Sequence, residues 1–162
     1  MDTTMNIVIS DHFSMEEVIF SETAERRGID NSLPQSLIPA VKNTASNMED
    51  VRNLLGHPIH VNSWYRCPSL NTAVGSSLTS QHIKGEAVDF ICPAFGTPLS
   101  ICKKILSASS TIKFDQLILE HSWVHISFCS NPGAVNRREV LSLLNSGGYS
   151  YGLTNKNGIK YG

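Results

Sequence analysis

The stretch that decides the fold runs from residue 114 to residue 128 and is FDQLILEHSWVHISF. Its two apolar, β-rich runs, 115–120 and 123–128, are separated by only two residues, which predicts a β-hairpin. Side chains alternate along a strand, so His125 is expected on the polar face. The core face would then carry Val124, Ile126 and Phe128. The two strands are therefore predicted to form part of a sheet with a polar and an apolar face.

A further strand is predicted upstream at residues 87–91, AVDFI. Its two large apolar side chains are expected to face the core, which places Asp89 on the other face. A carboxylate in such surroundings is costly to bury without a compensating partner. Residues 59–63 predict another strand, whereas the Ser-, Thr-, Asn-, Pro- and Gly-rich residues 67–81 predict a loop.

Helical patterns dominate the first third of the chain. Residues 14–17, SMEE, form a capping-box sequence that opens a helix expected to run to about Arg27 and stop at Gly28. Pro34 precedes the longest predicted helix, which ends at Gly56. Its apolar face has three- and four-residue spacing through Leu37, Val41, Ala45, Met48, Val51 and Leu55.

The remaining elements complete the prediction of the fold class. Residues 98–108 predict a helix, residues 134–146 a short final helix or turn, and residues 147–162 a loose tail. Together the elements predict an α+β fold, with helices packed on a small, mainly antiparallel sheet. The length fits a single domain, 1–162, whose motif-bearing core spans 59–128.

Composition narrows the classes of partner. Hydrophobic residues make up 41% of the chain, which supports a real core, and the formal net charge is −1. No basic excess attracts nucleic acid or an anionic membrane, so neither is expected as a partner. The start, Met1–Asn6, lacks a positive region followed by a long apolar run, so we expect no signal peptide. Without a secretory context, the cysteines are expected to be reduced thiols.

Two histidines and one aspartate are the candidate metal ligands. His82 and Asp89 lie seven residues apart, and His125 lies on the polar face of the later hairpin. Taken singly, Asp89 has a simple explanation as a hydrogen-bonded strand-end carboxylate, and His125 as an exposed side chain. Taken together, two imidazoles and one carboxylate form the three-ligand set of catalytic zinc sites, with an open fourth position. We therefore predict one zinc ion per chain.

A metallohydrolase also needs a base beside the attacking water. If His121 and Ser122 form the hairpin turn, Ile118 pairs with His125, and Glu120 shares the face of His125 as its diagonal neighbour. Glu120 is therefore the candidate base. Two alternatives stay open: Glu120 is a solvated strand-end carboxylate, or His121 takes the role.

Arg66 is a candidate substrate contact. It follows the strand predicted at 59–63 and enters a polar loop. A guanidinium there can grip a carboxylate through two parallel hydrogen bonds, as a carboxypeptidase needs for the free end of its substrate. The alternative is an ordinary surface arginine.

With these residues in place, the sequence resembles the zinc peptidases that include D-alanyl-D-alanine carboxypeptidases, vancomycin-resistance D,D-dipeptidases and phage L-alanyl-D-glutamate endopeptidases. Their motif is Ser-x-His and, seven residues after the histidine, Asp, followed later by a Trp-x-His strand. The matching residues are Ser80-Gln81-His82, Gly85, Ala87, Asp89 and Trp123-Val124-His125-Ile126-Ser127. Further matches are Ser63, Arg66, Asn71 and Phe114-Asp115-Gln116-Leu117-Ile118. The resemblance spans roughly residues 59–128.

The resemblance implies roles for individual residues. The zinc ligands would be His82, Asp89 and His125. The substrate contacts would be Arg66, Ser80, Gln81 and Trp123, with Arg66 also steadying the oxyanion. Glu120 matches the catalytic acid/base, although in some relatives that carboxylate lies three residues before the last histidine, where this chain has Ser122. The implied fold is the small α+β fold shared with the hedgehog signalling domain.

The resemblance also implies a function. It points to a zinc metallopeptidase of peptidoglycan stem peptides, either a D-Ala-D-Ala carboxypeptidase or an L-Ala-D-Glu-type endopeptidase. Short members without secretion signals are common in bacteriophages, as endolysins or virion components, so the protein is expected in the host cytoplasm before lysis or in the virion. Phage structural proteins are then candidate partners. The alternative is a non-catalytic, zinc-containing wall-binding or structural module of a phage particle, with a cleft closed by a partner or by the tail.

Overall fold

The computed structural model describes residues 6–161 and has an α+β architecture. Within that range, five α-helices pack against one sheet: α1 (Met15–Ile19), α2 (Glu22–Arg27), α3 (Ile38–Leu55), α4 (Pro68–Ala73) and α5 (Pro98–Ser107). The predicted fold class is confirmed. Residues 1–5 and 162 lie outside the described range, and with them most of the stretch on which the signal-peptide prediction rests.

The sheet has six strands in the described part of the chain, in the order β1-β2-β4-β3-β5-β6. They are β1 (His60–Ser63), β2 (Ala87–Ile91), β3 (Gln116–Leu119), β4 (Val124–Ser127), β5 (Glu139–Leu143) and β6 (Tyr149–Tyr151). Neighbouring strands are antiparallel except β3 and β5, which run parallel. The sheet is therefore mainly antiparallel, as predicted.

The central hairpin has the register that the sequence predicts. Ile118 pairs with His125, and the Glu120 N–H donates to the Trp123 carbonyl oxygen at 3.1 Å. On the other side of β4, Asp89 pairs with His125. The carboxylate and the imidazole are therefore cross-strand neighbours on one face of the sheet.

The opposite face of the sheet forms the core. Its strands bury the side chains of Val88, Phe90, Leu117, Val124 and Ile126 completely. They belong to one cluster with the buried face of α3, formed by Val41, Ala45, Met48, Val51 and Leu55. Each such burial contributes about 1.5–3 kcal/mol. Strand alternation and this packing together fix which face of β2 and β4 stays polar.

The predicted first helix, residues 14–27, is wrong in one respect, because it is two helices. Ser14 forms the predicted capping box, but α1 ends at Ile19. Ser21 has an extended backbone, and its hydroxyl accepts a hydrogen bond from the Ala24 N–H at 3.2 Å. This second N-cap starts a new helix, since a serine hydroxyl satisfies a free N–H better at a helix start than inside a helix.

The predicted loop at 67–81 is also wrong in part, because residues 68–73 form α4. Pro68 occupies the first turn, where its missing N–H costs nothing. Asn71 is buried in this helix, and its side-chain amide donates to the Ser77 carbonyl oxygen at 2.8 Å. The polar composition therefore reflects a short helix that binds its own loop.

The predictions for the C-terminal segment are wrong. Residues 139–143, within the predicted helix or turn at 134–146, form β5, and residues 149–151 of the predicted loose tail form β6. The Glu139 N–H donates to the Asp115 carbonyl oxygen at 2.9 Å, which starts the parallel pairing with β3. This pairing joins residues far apart in the sequence, so no local sequence pattern predicts it.

Every helix among residues 6–161 is too short or too polar to cross a bilayer.

Candidate active site

Three predicted metal ligands meet on the polar face of the sheet. Asp89 and His125 come from paired strands, and His82 comes from the 3₁₀ turn at 81–84 that leads into β2. One ligand atom from each residue lies within 4.8 Å of the others. His125 Nδ1 is 2.9 Å from Asp89 Oδ1, and His82 Nε2 is 3.3 Å from Asp89 Oδ2. The structure thus brings together the three residues that the sequence singled out.

The tautomer of His82 is set by the main chain. His82 Nδ1 lies 2.6 Å from the carbonyl oxygen of Trp64, which can only accept, so Nδ1 carries the proton. Nε2 then presents a lone pair to the cluster. It is buried and has no hydrogen-bond partner among the described residues. Such a carbonyl contact is the usual way in which a metal-ligating histidine is oriented.

Electrostatics of the cluster fit a bound cation. Burial lowers the pKa of His82, which keeps its imidazole neutral. Burial alone would raise the pKa of Asp89, but the contact with His125 counteracts burial and helps to hold that pKa below its ordinary value. The carboxylate oxygen of Asp89 and Nε2 of His82 therefore face each other as two acceptors. A cation between them would relieve this conflict, so the donor set fits a divalent metal.

Arg66 is fixed mainly by the protein itself. Nη2 donates to Asp89 Oδ2 at 3.2 Å, Nε donates to Ser63 Oγ at 3.1 Å, and Nη1 donates to Asn71 Oδ1 at 3.3 Å. A guanidinium has five N–H groups, so one remains on each terminal nitrogen. Arg66 orients Asp89 and keeps one N–H on each terminal nitrogen for a ligand.

Glu120 lies at the end of β3 on the same face as His125. Burial raises the pKa of this carboxyl to about 7, and the charge of Asp89 acts in the same direction, while His125 and Arg66 act against it. A carboxyl group with such a pKa can take up and release a proton near neutral pH. His121, the rival candidate, is exposed in the turn.

A cleft of about 730 Å³ surrounds these groups. Its lining includes all the residues proposed from the sequence: Arg66, Ser80, Gln81, His82, Asp89, Glu120, Trp123 and His125. It also includes Arg137, Leu141 and Tyr149 from the C-terminal segment. One wall of the cleft therefore comes from the C-terminal segment, for which the sequence predicted no functional residue.

The sequence profile described as peptidase M15 matches residues 11–127, which is more than half of the chain. The chain belongs to the peptidase M15 family. Membership indicates a zinc-dependent hydrolase that cleaves peptide bonds. Among curated proteins, none matches the sequence.

The matched range of this M15 peptidase contains the His82–Asp89–His125 cluster, Arg66 and Glu120, but ends at residue 127. Strands β5 and β6 lie beyond it. Sequence reasoning missed three kinds of contribution: the Trp64 carbonyl, the buried Glu86 and the cleft wall from β5 and β6. A backbone carbonyl has no residue-type signal, and the wall depends on the non-local pairing of β3 with β5.

Glu86 supports the turn that carries His82. Its carboxylate accepts hydrogen bonds from the Ser130 N–H at 2.8 Å and from the Ser130 hydroxyl at 2.6 Å. It also accepts from the Gln81 amide at 3.4 Å, and the His82 N–H donates to Ser80 Oγ at 3.2 Å. In this M15 peptidase, Ser80 and Gln81 are thus held beside the cluster by contacts on both sides of the turn.

Proposed function

We propose that this M15 peptidase is a zinc enzyme that hydrolyses the stem peptides of peptidoglycan. The observation that carries the proposal is the cluster of His82, Asp89 and His125, with ligand atoms within 4.8 Å of one another, in a cleft that also holds Glu120. These three residues would hold the zinc. When bound, zinc supplies a Lewis acid that polarises the scissile carbonyl and activates water.

Glu120 is proposed to move the proton. Its carboxylate would take a proton from the attacking water and give it to the leaving amine. Burial, which raises the pKa of this carboxyl above that of an ordinary glutamate, suits a group that must both accept and return a proton. The hydrogen bond from the Glu120 N–H to the Trp123 carbonyl fixes the backbone from which the carboxylate reaches into the cleft.

The free N–H groups of Arg66 are relevant to which peptide bond of the substrate is cut. Three of its N–H groups are already bound to Asp89, Ser63 and Asn71, which leaves one N–H on each terminal nitrogen. These two groups suit either a terminal carboxylate, through two parallel hydrogen bonds, or the developing oxyanion. The proposal therefore includes both the D-Ala-D-Ala carboxypeptidase and the L-Ala-D-Glu-type endopeptidase, which the test below separates.

The proposal extends to the setting of the protein. The resemblance to phage endopeptidases supports a lysis enzyme or a virion component, present in the host cytoplasm before lysis or in the particle, with phage structural proteins as partners. The alternative of a non-catalytic wall-binding module requires a closed cleft. The open cleft of about 730 Å³ and the presence of Glu120 in it favour the enzyme.

The test is to incubate zinc-loaded protein with purified peptidoglycan fragments, with and without a chelator, and to identify the products by mass. An endopeptidase releases fragments with a new amino terminus at D-Glu, whereas a carboxypeptidase releases only D-Ala. Stem peptides with a free or an amidated carboxyl end provide the matched pair. Equal cleavage of the two supports the endopeptidase, and cleavage of the free peptide alone supports the carboxypeptidase. Unchanged substrates under all conditions would reject the enzyme.

A further inference from the structure

Strand β6 places Tyr149 in line with Glu120. Tyr149 pairs with Leu143 of β5. Leu119 pairs with Ser142, so the next residues along these parallel strands, Glu120 and Leu143, lie side by side. Glu120, Leu143 and Tyr149 thus form one row across the sheet, and the Cα atoms of Glu120 and Tyr149 are about 10 Å apart, two strand spacings.

Tyr149 lines the same cleft as His82, Asp89 and His125. Its side chain lines the cleft together with Glu120 and His125, and the residue is 50% exposed. None of the described residues hydrogen-bonds to its hydroxyl. Glu120 and Asp89 affect the pKa of this hydroxyl only through their charges. A phenol on a cleft wall with an unused O–H is a donor available to a ligand.

The phenol remains a donor under working conditions. Burial raises the pKa of Tyr149 above its ordinary value of 10.0, and the charges of Glu120 and Asp89 act in the same direction. The hydroxyl therefore keeps its proton at neutral pH. Tyr149 belongs to one edge strand of the sheet, whereas Arg66 follows β1, the strand at the other edge. The His82–Asp89–His125 cluster and Glu120 lie between Tyr149 and Arg66.

We propose that Tyr149 contacts the substrate and donates its O–H to an oxygen of the bound peptide. Because Tyr149 lines the cleft about 10 Å from Glu120, measured between Cα atoms, this oxygen lies within about two residues of the bond that is cut. The inference rests on the proposed peptidase function and adds a substrate contact from outside the matched residues 11–127. It makes the C-terminal hairpin part of the substrate site.

The test compares Tyr149→Phe with Tyr151→Phe. Tyr151 lies two residues further along the same strand and face, is 76% exposed, and is not among the cleft-lining residues. Both variants keep the aromatic ring and lose only the hydroxyl. With a stem peptide containing both L-Ala-D-Glu and D-Ala-D-Ala bonds, kcat/KM is expected to fall about 5- to 10-fold in Tyr149→Phe, as one hydrogen bond predicts. Tyr151→Phe should stay within about twofold of the unmodified protein.

A binding measurement separates this inference from the proposed function. Titration calorimetry of the same peptide, with zinc-loaded protein made inactive by Glu120→Ala, should show Kd weakened by a similar factor when Tyr149→Phe is added and unchanged when Tyr151→Phe is added. If the unmodified protein shows no turnover, the proposed function fails, while a selective loss of binding in Tyr149→Phe still supports the contact. Equal binding in all three proteins, or equal losses in both variants, would overturn it.

Discussion

The two walls of the cleft treat their polar atoms in opposite ways. On the wall formed by β2 and β4, His82 Nε2 is buried without a hydrogen-bond partner among the described residues and faces the Asp89 carboxylate. Behind the wall formed by β5 and β6, the buried Ser142 hydroxyl lies on the face of β5 opposite the cleft-lining Leu141. It both donates, to the Gly152 carbonyl, and accepts, from the Thr154 N–H. The first wall holds an unmet electrostatic demand, whereas the buried hydroxyl behind the second is satisfied within the protein.

This difference separates chemistry from support. A buried acceptor without a partner costs free energy unless a ligand meets it, so its presence marks a site where something binds. A fully bonded hydroxyl marks a place where the chain is held in shape. Substitutions of the candidate ligands in the first wall should therefore reduce metal binding and turnover, and substitution of the buried hydroxyl behind the second should reduce the free energy of unfolding.

The largest effect is expected for His82→Ala. Loss of the Nε2 lone pair removes one of three ligands, and zinc affinity should fall by more than the ~100-fold typical of losing an outer contact to a ligand. Turnover should fall with it. Zinc content after dialysis, measured by metal analysis, checks this expectation.

His60→Ala is the matched control, because His60 is an exposed histidine on β1. It should retain one zinc per chain. Full zinc occupancy in His82→Ala would show that the unpartnered nitrogen is not a ligand, and the contrast between the two walls would lose its meaning.

The next effect concerns Glu120, which lines the same cleft as the three candidate ligands but is not itself a proposed metal ligand. Glu120→Ala should bind zinc normally and lose at least ~100-fold in kcat, the effect of removing a positioned acid/base. Turnover numbers and zinc content measured on the same preparation test it. His121→Ala, in the exposed turn, should keep its activity; a reversed result would assign the base to His121.

Sequence reasoning worked where the fold is local. Alternation around Asp89 and His125 predicted which side chains share a face, and the two-residue turn predicted the register of Ile118 with His125, as found. It failed for β5, EVLSL, because Ser142 faces inward among apolar neighbours and breaks the alternation. The roles of the ligands, Glu120 and Arg66 stay predictions, since residue positions alone do not report metal affinity or turnover.

A smaller effect is expected from Asp115, which ties the start of β5 to β3. Its carboxylate accepts from the Arg137 N–H at 2.8 Å, from Nε at 3.1 Å and from Nη2 at 2.8 Å. Burial would raise the pKa of Asp115, but the bonds from Arg137 outweigh burial and lower it below 3.8. Asp115→Asn should reduce the free energy of unfolding by about 1.5–3 kcal/mol at pH 7.

The sign of the pH dependence follows from that lowered pKa. The contribution of Asp115 is present above its unfolded value near 3.8 and is lost as pH falls through the folded value. Denaturant unfolding at a series of pH values between about 3 and 7 should therefore show the two proteins converging in acid. A constant difference across this range would contradict the ionised pair.

The smallest effect is expected from Ser142→Ala, behind the second wall. Ser142 is 1% exposed, and its hydroxyl bonds Gly152 at 2.8 Å and Thr154 at 2.9 Å, so the variant leaves a carbonyl and an N–H without partners. The free energy of unfolding should fall by about 1 kcal/mol, with zinc content unchanged. Ser146→Ala, at an exposed position of the β5–β6 connection, should change neither. If Ser142→Ala instead lost zinc at unchanged stability, Ser142 would support the metal site rather than the fold. The distinction between residues that bind the metal and residues that stabilise the fold would then be wrong.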